Sequence, residues 1–173
     1  MAYVELLASL GGVGSINAQV PPAFPGVVSG ATGRYVVLCP FAVTEQMAIP
    51  VKVWRAVARH MRLYDLSVLV MGNRGEWLEG AAFLESEILS ELSIQMKLEF
   101  LHSAELVVGA PNEWTWCAAA WQRKSVILYP QYTPQSRWFP FSGIDTYGRL
   151  VYDPHQLQIP VVLAGLRGLI ESL

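Results

Sequence analysis

Charge is scarce in this chain: 15% of its 173 residues are Asp, Glu, Lys or Arg, and the net charge is −2. No Lys/Arg-rich run is present to neutralise phosphates, which argues against nucleic acid as a partner. Long apolar runs are missing too. None approaches the ~20 residues that cross a bilayer, so no transmembrane segment is expected. The N-terminus lacks a basic region ahead of an apolar stretch and does not read as a secretory signal. Cysteine is limited to Cys39 and Cys117, both in apolar settings. That favours two buried thiols in a reducing compartment, the cytoplasm, over a disulfide. His60, His102 and His155 are scattered without ligand spacing, and no metal site is expected. GxGxxG, GxxxxGK[ST], GxSxG and CxxC are all absent, which removes four common readings of an α/β chain.

What is present is apolar: 53% of the residues are hydrophobic. One domain of ordinary size is expected, with a sheet covered on both sides or with a face hidden against a partner. Residues 3–10 form a short apolar helix candidate stopped by Gly11 and Gly12. Residues 13–34 are rich in Pro and Gly and read as a linker, and a linker joins two things. Residues 1–34 are therefore read as helix and linker, and 35–173 as the α/β domain. Within it, strands are expected near 35–39, 67–71, 105–109 and 126–129, with a last one at 147–152. An amphipathic helix is expected at 51–64, a short helix at 96–102, and a closing helix at 157–173 that Pro160 starts or kinks. Residues 77–92 are mixed and read as partly helical. The alternation of strands and helices predicts a three-layer, doubly wound, Rossmann-like parallel sheet.

The most informative stretch is 104–140, AELVVGAPNEWTWCAAAWQRKSVILYPQYTPQSRWFP. It reads as buried strand, polar turn, small-residue helix, second buried strand and a loop holding Trp138 and Phe139. Asn112 is the expected N-cap, and Ala118, Ala119 and Ala120 let the helix lie close to the sheet. A turn that ends a parallel strand and opens a helix aims backbone N–H groups at the crevice where open α/β sheets hold anions. The plain alternative is a βαβ unit with no ligand. Glu76 and Glu113 face the same choice between a crevice role and that of a solvated helix-start carboxylate. Trp114, Trp116 and Trp121 read first as packing residues, and secondarily as a stacking platform for a base or sugar.

In this order the pieces resemble the C-terminal, donor-binding half of the heptosyltransferase-like glycosyltransferases, glycosyltransferase family nine, which have the two-domain GT-B fold. The likeness runs through YVVLCPFA (35–42), AIPVKVWRAVARHM (48–61), VLVMGNRGE (68–76), AELVVG and CAAAWQRKSVILYP (104–130). It implies a nucleotide-sugar ligand such as ADP-heptose and an acceptor domain or partner chain. Carried over by position, Phe41, Ala42 and Thr44 would line the phosphate turn. Gly72, Asn73 and Glu76 would border the nucleotide, and Asn112, Glu113, Trp114 and Thr115 would meet the donor at a helix start.

The chain also departs from that pattern. The family's Asp-Ser/Thr-Gly-x-x-His becomes Asn112-Glu113-Trp114-Thr115-Trp116-Cys117, and the lysine expected before the Trp-Pro position aligns near Met47. A carboxylate, a close-approach glycine and a phosphate counter-charge are thus replaced. The expectation is a nucleotide-sugar-binding domain inactive by itself, with no catalytic residue assigned, forming a homo-oligomer through its apolar face. The alternatives are an interaction module that kept only the fold, and a small nucleotide- or nucleoside-processing enzyme using the same crevice.

Overall fold

A computed structural model describes residues 34–72, 87–88, 92–131 and 147–172. The helix expected at 3–10, residues 13–33 of the linker, Asn73, Glu76 and the Trp138–Phe139 loop lie outside these residues. The described strands are β1 (Tyr35–Cys39), β2 (Ser67–Val70), β3 (Glu87–Ile88), β4 (Leu106–Gly109), β5 (Ser125–Pro130) and β6 (Tyr147–Tyr152). The helices are α1 (Val51–Arg62), α2 (Ile94–Ser103), α3 (Glu113–Ala120) and α4 (Ile159–Ser172), with a 3-10 turn at Glu45–Met47. The strands form one six-stranded sheet in the order β3-β2-β1-β4-β5-β6, and every pairing is parallel. The four expected strands and the one at 147–152 are all in it.

Burial on both faces explains why these strands read as unbroken aliphatic runs. On one face, Val36, Leu38, Val68, Val70, Val108, Val126 and Leu128 pack against α1 and α4 through Val53, Trp54, Val57, Met61, Val162 and Leu166. On the other, Val37, Cys39, Leu69 and Val107 meet Leu98 and Leu101 of α2, Trp114, Cys117 and Ala118 of α3, and Trp121 just past its end. Trp114 and Trp121 thus share one face, as their spacing suggests, while Trp116 packs separately on Ile127 and Tyr129. Each fully buried side chain of this size contributes about 1.5–3 kcal/mol. At the amino end of the sheet Arg34 makes two hydrogen bonds to Glu105, 2.8 and 2.6 Å, and these hold the carboxyl below its usual range. The pair is exposed, so it contributes little to stability.

Several boundaries differ from the sequence reading. Glu87–Ile88, inside the partly helical stretch, is a strand whose register partners are Leu69 and Val70. Pairing to an existing edge overrides local preference there. Helix α2 starts at Ile94 because the Ser93 hydroxyl accepts the Met96 N–H at 3.3 Å. Helix α1 stops at Arg62, and Asp65 then takes φ 58, a left-handed conformation that turns the chain into β2. Pro160 sits in the first turn of α4, where its missing N–H costs nothing. No described helix is long and apolar enough to cross a membrane.

Candidate functional site

The carboxyl ends of β1, β2 and β4 lie side by side, since β1 lies between the other two, and open α/β sheets leave their ligand crevice at such strand ends. Backbone hydrogen bonds tie their exits together. The Met71 N–H donates to the Leu38 carbonyl (2.8 Å), Ala110 to Cys39 (2.9 Å), and Val43 to Pro111 (3.1 Å). The loop after β1 is thereby fixed to the turn before α3.

Asn112 is the hub of that junction and only 3% exposed. Its amide nitrogen donates to the carbonyls of Phe41 (2.7 Å) and Cys39 (3.2 Å), and its amide oxygen accepts the Thr115 N–H (3.0 Å). Thr115, fully buried, returns a capping box: its hydroxyl accepts the Asn112 N–H at 3.2 Å. The hydroxyl also lies 3.0 Å from the Ala110 carbonyl and 2.9 Å from that of Asn112, which it can serve as donor. Both side chains therefore spend their hydrogen-bonding capacity on the protein. Their part in the crevice is to aim the first turn of α3.

The closeness of this corner requires glycine at 109. A Cβ there would collide with the Thr115 methyl and come within 2.7 Å of both the Cβ and the carbonyl oxygen of Cys39. Phe41 and Ala42 are half-buried against the core, and Thr44 precedes the 3-10 turn without a side-chain capping bond. Gly72 is buried just past β2. Its carbonyl accepts a 2.9 Å hydrogen bond from the ammonium of Lys97, a residue that is itself 6% exposed. The same ammonium stands 5.6 Å from the centre of the Trp114 ring. The structure thus joins Gly72 to Trp114 through a lysine that the sequence reading passed over. A signal existed: Lys97 lies four residues before the buried Leu101, on the inward stripe of α2.

His102, in the last turn of α2, lies 3.4 Å from an Arg123 nitrogen, and burial followed by that charge lowers its pKa. Among the described residues no three His, Cys, Asp or Glu side chains are grouped to hold a metal. Both cysteines are free and buried. Burial, then the Glu113 charge, pushes the Cys117 thiol from 9.0 to about 12. Burial likewise raises Tyr152 from 10.0 to about 12. In each case the folded state keeps the proton that the unfolded chain gives up. Their stabilisation is complete below about pH 9 and is lost as pH rises from there to 12. Denaturant midpoints should therefore be flat near neutrality and fall above pH 9, and Cys117 should resist a thiol reagent in the native state. A Cys117 that reacts at neutral pH as fast as the denatured thiol would refute this.

No protein-family model matches the sequence, and neither does any curated protein. Solved structures do match in fold. E. coli heptosyltransferase WaaC with ADP aligns at a TM-score of 0.66 and 15% identity over 79% of this chain and 44% of its own. E. coli ADP-heptose LPS heptosyltransferase II gives 0.63 and 15% over 80% and 46%. A glycosyl transferase of family 9 from Veillonella parvula gives 0.65 and 9% over 82% and 47%. At these identities the likeness is one of fold, the Rossmann-like α/β unit of GT-B enzymes. The chain spans less than half the length of each of these structures.

Proposed function

We propose that this chain is the nucleotide-sugar-binding unit of a heptosyltransferase-like glycosyltransferase, inactive without an acceptor domain. The observation that carries the reading is the all-parallel sheet whose central strand ends beside the capped start of α3. In such sheets phosphates settle at this place, against helix N-terminal N–H groups. The heptosyltransferases of like fold have been solved with ADP and with ADP-2-deoxy-2-fluoro heptose, which makes an ADP-sugar the first donor to try here. The ligand would touch the loop 40–44, Gly72, Asn73 and Glu76, and the segment 112–115. Two buried free thiols suit a cytoplasmic setting. Exposed Leu63, Val151 and Val161, 80%, 54% and 65% accessible, suit contacts with a partner domain or a second copy.

Glycosyl transfer needs one group to hold the donor and another to position and deprotonate the acceptor. Residues 1–173 alone are expected to give no multi-turnover transfer. Thermal shift against ADP-heptose, other nucleotide sugars and bare nucleotides tests the binding claim. A ligand at a hundred times its dissociation constant should add about 2.7 kcal/mol and raise the melting temperature by several degrees. A flat response to every nucleotide would remove the reading. The inward commitment of Asn112 and Thr115 favours one second reading, an interaction module that kept the fold and lost the chemistry. Self-association without nucleotide binding would support that one.

A further inference from the structure

At the amino end of the sheet, away from the crevice, a histidine and an arginine join two turns. His102 lies in the last turn of α2, and Arg123 follows α3 on the way into β5. The Gln122 and Arg123 N–H groups donate to the Ala119 and Ala118 carbonyls at 3.0 and 2.9 Å, and Gln122 takes φ 55. This closes α3 in a Schellman turn and fixes where Arg123 begins. One terminal guanidinium nitrogen then lies 3.4 Å from His102 Nε2. A guanidinium has no acceptor, so in this contact the imidazole accepts and its Nε2 carries no proton. The Arg123 Nε is buried without an acceptor of its own. Trp121 packs against the half-buried imidazole, with ring centres 5.6 Å apart. The other charged and titratable groups nearby are engaged elsewhere. Glu99, three residues back on α2, accepts from Gln95 at 3.3 Å, and Glu105, at the entry to β4, holds Arg34. Lys124 acts on Glu105, and the Tyr35 hydroxyl of β1 donates to the Phe100 carbonyl at 2.9 Å.

We infer that His102 and Arg123 form an acid-labile latch between the end of α2 and the turn after α3. While the imidazole is neutral it accepts from the guanidinium, and the two turns are joined. A proton on Nε2 removes the acceptor and sets two cations against each other. Burial first, and then the Arg123 charge, lower the His102 pKa from 6.5. The folded protein therefore takes up this proton less readily than the unfolded chain. The stabilisation is complete above pH 6.5 and is lost as pH falls through the lower, folded value. None of this depends on what the crevice binds.

The experiment is an NMR titration of the histidine rings in the full chain, with urea unfolding at about pH 7.5 and about pH 5, for wild type, His102→Gln and Arg123→Met. His102→Gln keeps an acceptor for Arg123 and identifies the His102 signal among the three histidines. In wild type His102 should titrate below 6.5, and in Arg123→Met its midpoint should move up toward 6.5. Between the two pH values, wild type should lose a few-fold more in its folding constant than His102→Gln does. The Gln122 and Arg123 amides should also exchange faster in wild type at the lower pH, after correction for intrinsic rates, and not in His102→Gln. A wild-type midpoint at or above 6.5 would overturn the inference. So would an unchanged midpoint in Arg123→Met, an equal loss of stability in His102→Gln, or amides protected alike at both pH values. If His102→Gln fails to fold, the titration of wild type against Arg123→Met decides alone.

Discussion

Gly109→Ala should destabilise the protein by about 3 kcal/mol or more, at the upper end of what overpacking costs. Ordinary overpacked sites relax by moving a side chain. Here a new methyl would approach the Cys39 carbonyl oxygen within 2.7 Å, and that oxygen belongs to the central strand. It also accepts the Ala110 N–H and the Asn112 amide. Moving it opens the β1–β4 pairing, where Gly109 is the register partner of Cys39. Urea unfolding would measure the loss. Combining the change with Thr115→Ser removes one of the colliding groups, the Thr115 methyl, and should recover part of the stability. A Gly109→Ala midpoint within about 0.5 kcal/mol of wild type would show that the strands part more easily than this packing implies.

Asn112→Ala should cost about 3 kcal/mol, from a lost N-cap and from buried carbonyls stripped of their donor. The sharper comparison is Asn112→Asp. At an exposed N-cap the two residues are nearly equivalent. Here Asp would still accept the Thr115 N–H but would turn a carboxylate oxygen toward the Cys39 and Phe41 carbonyls. We expect Asp to be at least as damaging as Ala at neutral pH, and to recover as it protonates and regains a donor. Unfolding free energies at pH 7 and pH 4 would show this. If Asp proves neutral at both, Asn112 is a simple cap and the two loops are held by their backbone bonds alone. The same result bears on the resemblance, because the family pattern has Asp at this position, so restoring that pattern should harm this fold.

The strands were legible because a parallel sheet covered on both faces leaves runs such as Val36-Val37-Leu38 and Val126-Ile127-Leu128. The cap was legible because Asn112 stands in a polar turn between a strand run and a helix, where Asn is a favoured N-cap. The rest depended on distance. Asn112 reaches carbonyls 71 and 73 residues away, and no local pattern announces that clamp. Glu87–Ile88 is a strand only because β2 offers it an edge. Lys97 has the composition of a solvated helical position, and its burial follows from where β2 and α3 end. The strand ends could be located from the sequence, while the burial of Lys97 beside Gly72 could not.

The central position of β1 sets a schedule for synthesis. It is the first described strand to be made, and both of its edges end up paired, one to β2 and the other to β4. The Arg34–Glu105 contact beside that second pairing joins residues 71 apart in sequence. At 5–20 residues per second the ribosome needs roughly 4–14 s to bridge such a gap. During that interval an apolar strand has one edge open and no native partner to close it. Parallel pairing is slow in any case, because the intervening chain must be ordered before the contact forms. The nascent chain therefore passes through a sticky interval of seconds, in which yield depends on how crowded the surroundings are and on whether a chaperone is at hand.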